Sequence, residues 1–211
     1  MARAYSNLTN KSPLVYNSFD KTERKGHQMT DLLDLHKHFI LSHLKEGDIC
    51  ADFTMGNGHD TAFLSKAVGK DGHVYAFDVQ KSAIESTRAN LEREQCPKNY
   101  TLILDSHDNA REYIKEKIKV GMFNLGYLPG GDKSLTTKRE TTLLAVERAI
   151  EMLDSDSILL VAVYPGHEEG RIEGELLYEM LSKYDRRKMS IGCFKIVNSP
   201  TSPFFFVIET R

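Results

Sequence analysis

Two hydrophobic rhythms alternate along the 211-residue chain. Short apolar runs occupy 49–53, 74–79, 100–104, 120–125, 158–163, 191–197 and 204–209, each bounded by turn residues, and they predict seven strands. Between them apolar positions recur at three- and four-residue steps, which predicts helices over 59–68, 82–93, near 109–118 and over 168–184. A capping box, Thr137-x-x-Glu140, opens a further helix with Leu143, Val146, Ile150 and Leu153 on its apolar face. Ahead of the first strand, Thr30 caps a helix that carries Asp31 and Asp34 in its first turn, buries Leu32, Leu35, Phe39 and Leu44, and stops at Gly47. Pro97 breaks the helix after the second strand.

Strands and helices in strict alternation predict an α/β fold with helices on both faces of a mostly parallel sheet. The uninterrupted apolar run 158–163 fits a strand buried on both faces. Residues 198–203, Asn-Ser-Pro-Thr-Ser-Pro, are too few for a helical crossover, so the last two strands must pair antiparallel or separate, and an antiparallel last strand is expected. Five parallel strands and such a terminal pair make the Rossmann-like sheet of class I methyltransferases. A nicotinamide dehydrogenase would more often continue with another strand–helix–strand unit. Residues 1–28 are polar without a sustained period and predict an irregular extension to a domain over 29–211.

Composition narrows the partners. Lys and Arg number 28 against 30 Asp and Glu, so the formal charge is −2 and no global basic field draws in nucleic acid. The three cysteines, Cys50, Cys96 and Cys193, match no zinc spacing and no disulfide framework. Cys50 and Cys193 sit in apolar segments and are expected buried. No metal site is expected. No apolar run approaches a membrane span and no secretory leader is evident, which predicts the cytoplasm.

The chemistry gathers at the strand ends. Asp52-Phe53-Thr54-Met55-Gly56-Asn57-Gly58-His59-Asp60 follows the first run, and Asp78 closes the second, twenty residues after Gly58. Glycines let the backbone approach a ligand and start a helix, and the acid reaches ribose hydroxyls. The spacing fits the Asp-x-Gly-x-Gly-x-Gly of S-adenosylmethionine (SAM) methyltransferases, with Thr54 at the first glycine. Asn124-Leu125-Gly126-Tyr127 has the Asn-x-x-Tyr spacing of amino-group methyltransferases, with Leu-Gly for their Pro-Pro. There the Asn and a backbone carbonyl hold the attacking nitrogen and the aromatic ring stacks on the base. Gly130 and Gly131 follow, then Lys133, Lys138 and Arg139, which put cations where phosphates can be held, or form a solvated loop. His36, His38 and His43 suggest surface or packing roles, and His59 and His107 are better placed for a site.

Residues 54–61, Phe77-Asp78-Val79-Gln80, 124–133 and Tyr164-Pro165-Gly166-His167-Glu168-Glu169-Gly170 together resemble the bacterial MnmM (YtqB-like) family, also described as "putative rRNA methylase". The resemblance covers about residues 30–211. It implies SAM-dependent methylation of the 5-aminomethyl group of a wobble 2-thiouridine, giving 5-methylaminomethyl-2-thiouridine, with the tRNA anticodon loop as partner. It implies that Asp78 and Gln80 hold the ribose and adenine side of SAM. Gly56, Asn57, Gly58, His59 and Asp60 then surround the methionine portion, Asp52 and Thr54 also belong to the cofactor site, and Ser106 and His107 lie near the adenine. Asn124 and the Leu125 carbonyl orient the amine, Tyr127 stacks on the uridine, and Lys133, Lys138, Arg139 and His167 meet the RNA. His59, His167 or water would take the proton. Methylation of rRNA or of a small amine, a non-catalytic SAM- or RNA-binding protein, and a nicotinamide oxidoreductase stay open, as does a homodimer.

Overall fold

A computed structural model describes residues 32–126 and 139–211. The N-terminal extension, the Thr30 cap, Thr137 of the capping box, Tyr127, Lys133 and Lys138 lie outside the described residues, as does the side chain of Arg139.

The strands are β1 (Ile49–Asp52), β2 (His73–Asp78), β3 (Tyr100–Leu104), β4 (Ile118–Leu125), β5 (Leu153–Val163), β6 (Met189–Phe194) and β7 (Phe204–Thr210). They form one seven-stranded sheet in the order β3-β2-β1-β4-β5-β7-β6. The first five pair in parallel, and β7 runs antiparallel to both β5 and β6. The expected sheet, including its antiparallel last strand, is therefore present. The strand order reverses between β1 and β4, which places the crevice at a topological switch point, where open α/β sheets bind ligands.

Alternation along each strand sends residues to two separate cores. On one face Cys50, Val120, Met122, Ile158, Leu160, Phe205 and Val207 pack with Ile40 of α1 (Leu32–His43) and with Leu64 and Val68 of α2 (His59–Val68). On the other, Phe53, Phe77, Phe123, Leu159, Val161 and Phe206 pack under α4 (Ala110–Tyr113), α5 (Arg139–Met152) and α6 (Glu168–Leu181). Phe53 stacks on Phe123 at 4.4 Å and on Phe77 at 6.0 Å between ring centroids, binding three strands through one aromatic layer. The helix α3 (Lys81–Arg93) packs over a small cluster of Met55, Ala76 and Ala83, and Leu91 is its one large fully buried apolar side chain.

Five sequence expectations need correction. The strand expected over 191–197 runs instead from Met189 to Phe194. Leu153 does not end α5 but begins β5, which continues past an irregularity in its pairing with β4 to Val163. The helix expected near 109–118 is a 3-10 turn (His107–Asn109) and one short helix, because β4 already starts at Ile118. The final long helix stops at Leu181 rather than 184. Cys193 is exposed, because β6 is an edge strand with one neighbour. Cys50 is buried as expected, and burial pushes its thiol pKa up. Among the described residues no helix is long and apolar enough to cross a membrane.

Candidate functional site

The carboxyl ends of β1 and β4 meet at the switch point, and Thr54 joins them. Its hydroxyl oxygen accepts the Asn124 backbone N–H at 2.7 Å, across seventy residues of chain. A glycine at position 54 has no atom for that bond. The departure from the methyltransferase glycine pattern thus has a physical use, since it fixes the Asn124 main chain against the turn.

Asp52 sits under the same turn and is 1% exposed. Its two oxygens accept the Thr54 N–H at 3.1 Å and the Thr61 hydroxyl at 2.6 Å. Burial, then the charge of Asp60, raises its carboxyl pKa to about 7. Asp52 therefore holds the turn from below, and its bonds run inward to the protein.

The turn itself is shaped by two left-handed glycines, Gly56 (φ 50°) and Gly58 (φ 77°). A Cβ on Gly58 would stand 2.8 Å from Thr87 Cα, so α3 can lie this close only against a glycine. Three polar residues of α3 grip the turn. Thr87 donates to the Gly56 carbonyl at 3.1 Å, Asn90 to the Gly58 carbonyl at 2.9 Å, and Ser86 to Asn57 Oδ1 at 2.8 Å. Sequence reasoning missed these residues. The available clue was polar side chains on the inner face of a helix with few large apolar ones.

Asp78, at the end of β2, accepts the Gly56 N–H at 3.1 Å through one oxygen and the Gln80 N–H at 2.9 Å through the other. The carboxylate is thereby locked beside the glycine turn, with lone pairs left for further donors. The acid and the turn that the sequence paired at twenty residues are in direct contact.

Asp60 and Asn124 close the crevice on the α1 side. Asn124 Nδ2 donates to Asp60 Oδ2 at 3.4 Å, and Asp60 Oδ1 lies 3.9 Å from His36 Nε2. His36 is 6% exposed and packs edge-on to Phe205. Of the three histidines expected to serve as surface or packing residues, His36 is the one that reaches the site. His38 is exposed, and His43 faces Glu209 at 3.6 Å.

The other expected residues are distributed as follows. His59 is exposed at the start of α2. Ser106 follows Asp105, whose carboxyl is held below the usual range by the Tyr113 hydroxyl and the Asn109 amide. His107 is buried and edge-on to Phe123, with Nδ1 3.1 Å from the Phe53 carbonyl. A carbonyl only accepts, so Nδ1 carries the hydrogen, and burial lowers the ring's pKa and keeps it neutral. Leu125 is buried. His167 is exposed, and its Nδ1 accepts the Gly170 N–H as the N-cap of α6.

A left-handed glycine turn, a fixed carboxylate one strand away and an amide side chain across the switch point suit a nucleoside-bearing ligand beside a hydrogen-bonding substrate. The model of the family described as "Putative rRNA methylase" matches residues 74–209. The chain is 37% identical over 181 residues to the chloroplastic tRNA (mnm(5)s(2)U34)-methyltransferase of Arabidopsis thaliana, covering 80% of this chain. It spans 65% of that relative's length. A "putative rRNA-methylase" from Clostridium thermocellum has the same fold with a TM-score of 0.84 and 38% identity, over 88% of this chain and 100% of that one. A "putative methyltransferase" from Streptococcus mutans, solved in complex with SAH, gives a TM-score of 0.79 and 35% identity, over 87% and 100%.

Proposed function

The chain belongs to the family described as "Putative rRNA methylase", and on that premise we propose that it is a SAM-dependent N-methyltransferase of tRNA. Its substrate in this reading is the 5-aminomethyl group of a wobble 2-thiouridine, and its product 5-methylaminomethyl-2-thiouridine. The observation that carries the reading is the Thr54 bridge, which ties the cofactor-type glycine turn to the main chain of Asn124, the residue whose amide suits an amine. The name of the chloroplastic relative supports the substrate, and the SAH-bound methyltransferase supports the cofactor.

The residues present fit SAM. A Cβ at Gly58 would stand 2.8 Å from Thr87 Cα, so the turn stays tight against α3, and Asp78 is fixed beside it with lone pairs to spare. Asp78 would accept from the ribose hydroxyls, with Gln80 beside it, while Ser106 would face the adenine. SAM supplies a methyl group already activated by a positively charged sulfur.

The protein's share is orientation. A neutral primary amine has two N–H donors and one lone pair. Asn124 Oδ1 and the Leu125 carbonyl would accept the two hydrogens, which leaves the lone pair directed at the methyl carbon. With SAM bound, the amine would take the methyl group with S-adenosylhomocysteine as the leaving group, and the resulting ammonium would shed one proton to water. His167 Nδ1 is engaged as a helix cap, so that nitrogen is not the base. Tyr127 would stack under the uridine, and Lys133, Lys138 and Arg139 would meet the phosphates of the anticodon loop.

The test is nucleoside mass spectrometry of tRNA carrying 5-aminomethyl-2-thiouridine after incubation with the purified protein and SAM. Gain of one methyl on that nucleoside is expected. Methyl transfer to rRNA or to small amines alone would redirect the assignment. No transfer to any acceptor would leave a binding protein.

A further inference from the structure

We propose that Asp60 is a positioning residue that sets which way the Asn124 carboxamide faces, and that His36 holds Asp60 in place for that task. The inference rests on the amine reading above and assigns Asp60 away from the cofactor, where the sequence resemblance put it.

The argument begins with what each group is able to do. A carboxylate accepts hydrogen bonds and has none to donate. Asn presents an NH₂ edge and an oxygen edge of nearly the same shape, so only its partners decide which edge faces where. Asn124 is anchored at its main chain by the Thr54 hydroxyl at 2.7 Å, so rotation of the side chain is its remaining freedom. Asp60 Oδ2 lies 3.4 Å from Nδ2, and only the NH₂ edge satisfies a carboxylate there. The oxygen edge therefore faces away from Asp60.

This choice decides whether the amine reacts. With Oδ1 toward the substrate, Asn124 takes an N–H and leaves the nitrogen lone pair for the methyl carbon. With the amide reversed, Nδ2 donates into that lone pair and the nucleophile is blocked by the residue meant to aim it. An Asn alone at this position would admit both states.

Asp60 is itself held. It stands in the first turn of α2, where the helix dipole favours a negative charge. Its other oxygen lies 3.9 Å from His36 Nε2. Its side chain is 17% exposed and that of His36 8%, so the pair is largely sheltered from water. α1 thus brings His36, which lies outside the strand-end motifs, to the back of the site.

The experiment is a double-mutant cycle read in single turnover with enzyme in excess, so that slow variants remain measurable. Asp60→Asn gives Asn124 a partner that donates as readily as it accepts. The methylation rate on aminomethyluridine tRNA is expected to fall on the order of tenfold, the low end of what a hydrogen bond to a charged group is worth. SAM affinity by calorimetry is expected to stay put. In an Asn124→Ala background, Asp60→Asn is expected to have no further effect, because its route to the chemistry has gone. His36→Gln, which keeps a polar side chain beside Asp60, is expected to retain more activity than His36→Leu. An unchanged rate in Asp60→Asn, a loss of SAM affinity, or equal losses in both backgrounds would each overturn the proposal. Wild-type protein that fails to methylate the tRNA would instead overturn the amine reading, and the inference with it.

Discussion

Replacing Gly58 by Ala isolates how closely α3 must approach the glycine turn. Two effects add. The residue has φ 77°, and a non-glycine residue in the left-handed region loses about 1–2 kcal/mol. The new methyl would also lie 2.8 Å from Thr87 Cα and Cγ2 and 2.9 Å from Oγ1. Rotating Thr87 moves Cγ2 and Oγ1 but leaves Cα, so the helix backbone must shift, and overpacking of this kind costs about 1–3 kcal/mol. The sum is about 2–5 kcal/mol, a large part of a typical domain's stability. Gly47 supplies the control. It has φ 90° with nothing within 4 Å of its Cβ position, so Gly47→Ala carries the backbone effect alone, about 1–2 kcal/mol. Urea unfolding of both variants yields the contact contribution as their difference, about 1–3 kcal/mol. SAM titration should show weakened binding for Gly58→Ala and unchanged binding for Gly47→Ala. Equal destabilisation of the two variants, with SAM affinity retained in both, would refute the reasoning, since the approach of α3 would then impose nothing.

Three further outcomes are expected. Asp78→Ala should lower SAM affinity on the order of 10–100-fold by calorimetry, because hydrogen bonds to a charged group are worth about 1.5–3 kcal/mol, and an unchanged affinity would take Asp78 out of the site. Asp52, raised to about 7 by burial and by Asp60, keeps a proton in the folded protein that the unfolded chain releases near about 3.9. Its contribution to stability is full below the unfolded value and is lost as pH rises through the folded one. The wild type should therefore gain stability relative to Asp52→Asn as pH falls from about 7 toward about 4, and parallel unfolding profiles would count against this. The salt slope of tRNA binding should be shallow, matching about two to four phosphate contacts at roughly 0.7 each, and replacing Lys133, Lys138 and Arg139 together by Ala should weaken binding and flatten that slope with SAM binding unaltered; a triple variant with normal binding at several salt concentrations would place the RNA elsewhere.

The strands were legible because a parallel sheet covered on both faces demands unbroken apolar runs, as in 158–163. The antiparallel ending followed from a connection too short to cross over. Boundaries were harder where one apolar run serves two elements. Leu153 keeps the helical step of α5 and also opens β5, and periodicity does not separate the two roles. Cys193 shows the same limit, since an apolar neighbourhood in sequence says nothing of being on an edge strand. The glycine turn and Asp78 could be paired from spacing because strand, turn and helix lengths fix their distance. The link from His36 to Asp60 had no such signature. It depends on where α1 docks, and nothing in the spacing of residues 36 and 60 announces it. Nor did the sequence separate Asp52 from its motif neighbours, although burial sets it to supporting the turn.

The way α3 is fastened has a bearing on motion. Most of the sheet is covered through large aliphatic and aromatic contacts, but α3 meets the turn through Ser86, Thr87 and Asn90 over a small apolar cluster. Opening that seam uncovers Leu91 and a small cluster, fewer buried apolar side chains than α5 covers, so it forfeits less free energy than lifting α5 would. Amide hydrogens around Gly56, Gly58 and the inner face of α3 should then exchange with solvent ahead of those in β4 and β5. A ligand seated on the turn would slow that exchange, because it binds only the closed arrangement. If the proposed cofactor sits on this turn, the seam would firm up on occupancy, while the sheet beneath it stays rigid throughout.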